Sequence, residues 1–256
     1  MNILKNKSAR ALIIIMCALV LFGILIASRY YKNYNSSIDP RISTARTMYE
    51  KYNKYAQSNR FDSVFILMDK IEKNYSSLEH YKNSYEIGVL YNNRAASYLT
   101  MALYSNAIIN QPIIQDSLIK MAENSVNKSI SIYQSWLNNF ENKSTDEIEK
   151  SIKKDFFIGL DDYDENTKNK FLKNRIKEIE TAQTETKRRL SVSYTNLGII
   201  YRHKQQYETA AKYYKEALEL WDRNLSAENN LHILMGEPLK KRNFIQKMFP
   251  PNRNID

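Results

Sequence analysis

Apolar residues are arranged along this chain in three ways, and each arrangement predicts a different element. Residues 11–28, ALIIIMCALVLFGILIAS, form an unbroken block without a charge. At about 1.5 Å of rise per residue this block spans about 27 Å, close to the apolar thickness of a bilayer, so it is expected to cross a membrane as a helix. Residues 29–41 read as a polar juxtamembrane linker, stopped by NYNSSIDP, and helical spacing of apolar positions begins near Ile42. The third arrangement is a narrow seam of Leu172, Ile176, Ile179, Gln183, Thr186, Leu190, Ser193 and Leu197, at alternating spacings of four and three. It predicts one long helix. Because Gln183 and Thr186 make its centre polar, it is expected to pack on preceding helices of the same molecule, and a homo-oligomer is not favoured.

The chain also repeats itself. YNNRAASY at 91–98 and YTNLGIIY at 194–201 share Tyr, any residue, Asn, any, small, any, any, Tyr. Downstream, Ala122, Val126, Ser129 and Ile130 take the spacing of Ala210, Tyr214, Ala217 and Leu218. Tyr194, Leu197, Gly198, Tyr201, Tyr207, Ala210, Tyr214 and Ala217 resemble the signature of the tetratricopeptide repeat, over residues 191–224. A second stretch, 88–104 with 119–137, resembles it through Tyr91, Ala95, Tyr98 and Ala122, with INQPIIQDS inserted between its two helices. A third, 45–78, keeps Tyr52, Tyr55, Phe61, Val64, Met68 and Ile71 in place but lacks the small residues. The resemblance implies stacked helical hairpins, in which small residues admit close approach and the larger ones fill the groove between helices.

The expected fold is therefore all-α: an N-terminal transmembrane helix followed by a tetratricopeptide-like helical-repeat domain. Residues 42–137 read as degenerate repeats, and 138–165 as a charged insertion with one short helix and a turn near Gly159. Residues 166–236 read as the long helix, the well-matched repeat and a capping helix, with Ser226 as its N-cap, Leu231 and Leu234 facing the repeat, and Gly236 at its end. Residues 237–256 form a basic tail interspersed with Phe244, Ile245, Met248 and Phe249.

Composition sharpens this picture. Five Gly and five Pro in 256 residues leave few sites for turns, and 43% hydrophobic content is enough for a core. The single cysteine, Cys17, lies in the apolar block, which excludes an internal disulfide framework and a cysteine zinc site. Net charge is +10, but basic residues are mixed with acidic ones. Lys187, Arg188, Arg189 and Arg202 form the best basic cluster, yet Glu178, Glu180 and Glu185 share the helix. The cluster reads as a solvated mixed face, and no nucleic-acid partner is expected. Residues 1–10 form a basic leader with Lys5, Lys7 and Arg10. The best cleavage site, Leu25-Ile26-Ala27, is poor in small residues, so 11–28 reads as an uncleaved signal anchor rather than a removed leader. Arg29, Lys32, Arg41 and Arg46 follow the block and nearly balance the leader; a short basic leader that stays in the cytoplasm would put the following domain on the other side, in the periplasm of a bacterium.

The sequence carries no recognisable catalytic pattern. His80, His203 and His232 have no second ligand at metal-binding spacing. Asp162, Asp164 and Asn166 alternate like calcium ligands, but Thr167 stands where that loop needs glycine and Lys173 where it needs glutamate, so the carboxylates read as helix N-terminal charges. No phosphate-binding glycine loop or nucleophile motif occurs. No catalytic residue, cofactor or metal is expected, and the protein is not read as an enzyme.

The resemblance instead points to a concave surface lined by the first helix of each hairpin. By position these residues are Tyr49, Asn53, Asn92, Asn93, Thr195, Asn196 and Ile199, and the amides could hold the backbone of an extended peptide. YNNRAASY also resembles the second repeat of the chaperone-binding carboxylate-clamp group, with Asn93 at its carboxylate-holding position, although Tyr49, Val192 and Asn196 occupy the clamp's basic positions. The resulting reading is a non-catalytic, single-pass membrane scaffold that binds a protein or peptide. An exported soluble protein on an anionic polymer or lipid surface, and an accessory subunit of a membrane enzyme complex, stand as alternatives.

Overall fold

The computed structural model describes residues 7–105, 108 and 111–241, with side chains over 11–32, 35–105, 108 and 111–241. Lys5 and the tail beyond residue 241, including its four large apolar residues, lie outside the described residues, as do the side chains of Lys7 and Arg10. The described residues form nine α-helices and no strand.

α1 (Lys7–Asn35) contains the apolar block, and every side chain from Ala11 to Lys32 is exposed. It runs further than the pattern suggested: residues 29–35, expected to be linker, are helical. The reason is local, since no Gly or Pro lies between Ser28 and Pro40, and it is proline that disfavours the helical region for the residue before it. Asp39 then caps a short 3₁₀ turn (Pro40–Ile42), accepting from the Arg41 backbone N–H.

α2 (Ser43–Gln57) and α3 (Phe61–Ser76) form a hairpin, as do α7 (Glu165–His203) and α8 (Tyr207–Leu220). Both turn on three residues with a left-handed middle one, Asn59 at φ 54° and Gln205 at φ 60°. The Arg60 N–H donates to Tyr55 O and the Gln206 N–H to Tyr201 O, each at 2.9 Å. Between these hairpins, α4 (Tyr85–Tyr104) packs along α5 (Pro112–Phe140), and α5 packs along α7. The inserted INQPIIQDS is only partly a loop, because from Pro112 it forms the first turns of α5, where proline's missing N–H costs nothing.

α6 (Thr145–Phe157) occupies the charged insertion and starts at a capping box between Ser144 and Glu147. Gly159, at φ 78°, turns the chain back toward α7, whose N-cap is Asp164, accepting from the Asn166 and Thr167 N–H groups. α9 (Leu225–Met235) packs on α8 and ends at left-handed Gly236. Its N-cap is Asn224 and not Ser226: the Asn224 side-chain Oδ1 accepts from the Ala227 N–H at 3.1 Å, which fixes the helix start two residues earlier. Residues 237–241 return along α9 through paired Asn229–Lys240 hydrogen bonds.

Close approach is visible at two glycines. A Cβ on Gly198 would stand 2.3 Å from the Tyr214 ring, and one on Gly88 would stand 2.5 Å from the Tyr133 ring. Both tyrosines are fully buried, so each ring occupies space that any other residue would fill. Ala45, Ala95, Ala122, Ala210 and Ala217 are buried at 0% exposure, and burial of partners such as Val64, Met68 and Ile71 stabilises by about 1.5–3 kcal/mol each. Tyr98 stacks on Phe65 with ring centroids 4.5 Å apart, Tyr194 lies 6.0 Å from Tyr213, and Tyr201 lies 5.3 Å from it. Tyr91, half-exposed, hydrogen-bonds Glu72. Tyr207, expected to pack, is exposed, because it opens α8 on the outer side of the turn.

The α7 seam faces the same molecule. Leu172, Ile176, Ile179, Thr186, Leu190, Ser193 and Leu197 are buried, and Gln183 donates to the Phe140 and Lys143 carbonyls at 2.8 and 2.9 Å. Phe140 is the last residue of α5 and Lys143 lies in the turn after it, so Gln183 ties α7 to the C-terminal end of α5.

Candidate functional site

Along one face, α2, the end of α3, the start of α4 and the middle of α7 enclose a cavity of about 340 Å³. Tyr49 and Asn53 line it with Arg46, Tyr75, Glu86 and Arg189. Asn53 is exposed, while Tyr49 is half-buried and its hydroxyl accepts from Asn93 Nδ2. Burial pushes the Tyr49, Tyr75 and Tyr85 phenols far up, so these hydroxyls stay protonated and able to donate.

The charges around this cavity are mostly matched. Arg46 pairs with Glu178, and Glu86 pairs with Arg175, which is 2% exposed. Arg175 also donates Nε to His80 Nε2 at 2.9 Å and Nη1 to Glu178 at 3.2 Å, with its guanidinium 4.5 Å from the Tyr81 ring centre. Burial alone would raise the Glu86 carboxyl, but the adjoining guanidinium outweighs it and holds Glu86 at about 2. Burial, aided by Arg175, lowers His80 to about 3, which keeps it a neutral acceptor. Arg189 differs. Its guanidinium lies 5.2 Å from the Tyr85 ring centre, it makes no ion pair among the described residues, and its buried Nη1 has no hydrogen-bond partner there. The cavity therefore offers a visitor the Arg189 cation, phenol hydroxyls and an amide, with the exposed Glu50 carboxylate also in its lining.

The other residues expected at the groove are placed differently. Asn92 is buried and its Oδ1 accepts from Ser193 Oγ at 2.9 Å and Asn196 Nδ2 at 3.0 Å, joining α4 to α7. Asn196 is buried in that same joint. Thr195 is buried too: it donates to Ser191 O and accepts from Asn224, so it binds α7 to the start of α9. Ile199 packs half-buried against the core. Asn92, Thr195 and Asn196 are thus buried where the groove reading expects them open, because on a helix sandwiched between neighbours a polar side chain four residues from an apolar position can face another helix as readily as water. Arg189, Glu86 and Arg175 were not singled out as site residues. Arg189 had been read only as part of a solvated basic cluster; its signal was a cation one turn before the repeat signature. Among the described residues, no group of three or more His, Cys, Asp and Glu side chains could hold a metal.

The tetratricopeptide repeat family model matches residues 191–224. No curated protein and no solved structure matches the chain. The matched segment is the C-terminal part of α7 with α8 and the turn into α9, the same hairpin whose Gly198 admits the Tyr214 ring. Family model and packing agree on it, and this all-helical chain thus carries a tetratricopeptide repeat, a module of protein–protein interaction, at residues 191–224.

Proposed function

We propose that the protein is a non-catalytic scaffold held to a membrane by α1, and that its helical domain binds a protein or peptide partner in the cavity between α2, α4 and α7. The observation that carries the partner site is Arg189, a cation without a carboxylate partner, beside the exposed Asn53 and the Tyr49 phenol. Such a set suits a partner segment with an acidic group and free backbone amides. Residues 42–137 are read as diverged repeats of the same kind; the shared turn at Asn59 and Gln205 supports this.

The anchor rests on α1. Within Ala11–Lys32 an 18-residue stretch has a mean hydropathy of 3.0 and is 0% buried. Leaving side chains such as Leu21, Phe22 and Leu25 in water forgoes about 1.5–3 kcal/mol each, which a bilayer would recover. Tyr30 and Tyr31 at its end suit a membrane interface, and the domain is proposed to lie outside the cytoplasm. Anchoring would raise the effective concentration of a partner in the same membrane.

The test places a photo-crosslinking residue at Asn53 or at Lys212, an exposed position on α8. Discrete adducts from Asn53 that Lys212 does not give, and that Arg189→Gln weakens, are expected. Identical adduct patterns from both positions would sink the groove reading. Carbonate extraction and protease digestion of intact spheroplasts test the anchor and its orientation; a shortened, extractable chain would mean cleavage and remove the membrane scaffold.

A further inference from the structure

Where α1 ends, the chain folds against the N-terminal half of α7, and two adjoining recesses of about 610 and 480 Å³ open there. The larger is lined by Ser37, Lys170, Lys173, Lys177 and three asparagines, Asn166, Asn169 and Asn174, with no carboxylate. The smaller is reached by Tyr30 of α1 and shares Ser37, Asn174 and Lys177. Lys170, Lys173 and Lys177 are spaced by three and four residues, so all three stand on one face of α7. All are exposed.

Nearby acids do not neutralise that face. Glu178, the one carboxylate in the smaller recess, is engaged by Arg46 and Arg175 and accepts from Asn174 Nδ2 at 3.1 Å. Glu165 pairs with Lys168, and Asp39 pairs with Arg41. Lys170 donates to Ser36 Oγ, which ties the basic face to the residue just after α1. Lys173 and Lys177 make no ion pair among the described residues. The outcome is an uncompensated row of ammonium groups and amide donors beside a helix end that also exposes Arg29 and Lys32.

The height of this row selects its ligand. The charge-free block closes at Ser28, and its 18 residues cover about 27 Å, roughly a bilayer core. Tyr30, at the level where the core gives way to headgroups, lines the same recess as Lys177. We propose that the two adjoining recesses together bind the phosphate of an anionic phospholipid, with Lys173 of the larger and Lys177, shared by both, as the charged contacts and the shared Asn174 and Ser37 as hydrogen-bonding neighbours. The proposal rests on the membrane-anchor reading above. It gives the domain a defined posture, with the N-terminal half of α7 drawn to the headgroups. Each ammonium near an anionic surface favours association by a factor of about five.

The full chain in nanodiscs of phosphatidylcholine, or of phosphatidylcholine mixed equally with phosphatidylglycerol, is treated with an amine-acetylating reagent and analysed by peptide mass spectrometry. Labelling of Lys173 and Lys177 is expected to fall about fivefold in the mixed discs, with Lys212 unchanged. A double Lys173→Gln, Lys177→Gln variant, altered only at exposed positions, is expected to lose lipid-dependent protection at Lys170. Equal labelling in both membranes, or protection of Lys212 by the same factor, overturns the site while the anchor stands. Glycerol phosphate added to phosphatidylcholine discs tests the rival source: protection equal to that of the anionic lipid overturns a lipid ligand. A chain that never co-migrates with the discs overturns the anchor, and the headgroup site with it.

Discussion

The α7–α8 and α4–α5 hairpins are built to the same frame, yet only the first matches the family model. In α7–α8 the helices close across three residues, and Gly198 yields to the Tyr214 ring. In α4–α5 the aligned positions hold Ala95 and Val126, both fully buried, and the glycine–tyrosine approach sits elsewhere, at Gly88 and Tyr133. Ser191 Oγ donates to Ala217 O in one hairpin and Ser129 Oγ to Gly88 O in the other, so positions that align in sequence meet in both. What is retained is the frame and the summed volume at the crossing; which side of it supplies the small residue is free to change.

The largest expected effect separates the two hairpins at Arg175. α4 is held at its start by Glu86 on that guanidinium, in the half of α7 that precedes the recognisable repeat. Arg175→Leu would leave Glu86 buried without its partner, a loss of about 3–5 kcal/mol. Hydrogen exchange should then show lost protection in α3, α4 and α6, with residues 195–217 retained longest; uniform loss would mean that the two regions fold as one unit. Acid should act on the same joint. His80 is lowered from 6.5 to about 3, so the unfolded chain takes up its proton first, and stability falls as pH drops through that window. Glu86, lowered from 4.5 to about 2, adds a further loss as pH falls below 4.5. A melting series from pH 7 to 3 should decline throughout, and His80→Gln should flatten its upper part.

A second, smaller break compares the two glycines directly. Alanine at Gly88 or Gly198 gains about 1 kcal/mol in helix propensity, but its Cβ overlaps a ring that cannot move, at a cost of about 1–3 kcal/mol. Both variants should be destabilised, as read by denaturant midpoints, and by similar amounts if the unrecognised hairpin packs as tightly as the recognised one. Adding Tyr214→Val to Gly198→Ala copies Ala95 and Val126. It should cost less than the two single changes summed, with coupling of about 0.5–3 kcal/mol; strict additivity would contradict the shared frame.

The same comparison explains what the sequence could disclose. Gly198 and Tyr214 are legible because a small residue and a large one recur at the offset of a known hairpin. Gly88 and Tyr133 are not legible because the residue aligned with Tyr133, Trp221, carries no part of the repeat signature, and only the fold shows that Tyr133 leans back over α4. The Arg175 joint has no local signature at all: its partners Glu86 and His80 are 89 and 95 residues away. For the candidate site, Tyr49 and Asn53, named by position on α2, line the cavity, whereas Asn92, Thr195 and Asn196 are buried in joints between helices. Periodicity marks which face of a helix an amide occupies, but not whether a later helix covers that face. Asn224 displaced Ser226 as a cap for a similar reason, since both residues can cap and only the backbone decides which one stands at the helix start.

The smallest effect probes the turn that α2–α3 and α7–α8 share. Asn59 and Gln205 hold the same left-handed position, at φ 54° and 60°. Asparagine tolerates that region through local hydrogen bonding, whereas glutamine bears a steric cost of about 1–2 kcal/mol there. Glycine removes the cost but loosens the unfolded chain by about 0.5–1 kcal/mol. Gln205→Gly should therefore gain up to about 1 kcal/mol, and Asn59→Gly should change stability by a few tenths at most. Chemical denaturation of the two variants under one condition measures the difference. If Asn59→Gly gains as much as Gln205→Gly, the first turn is as strained as the third, and the asparagine there is not an adaptation to the turn.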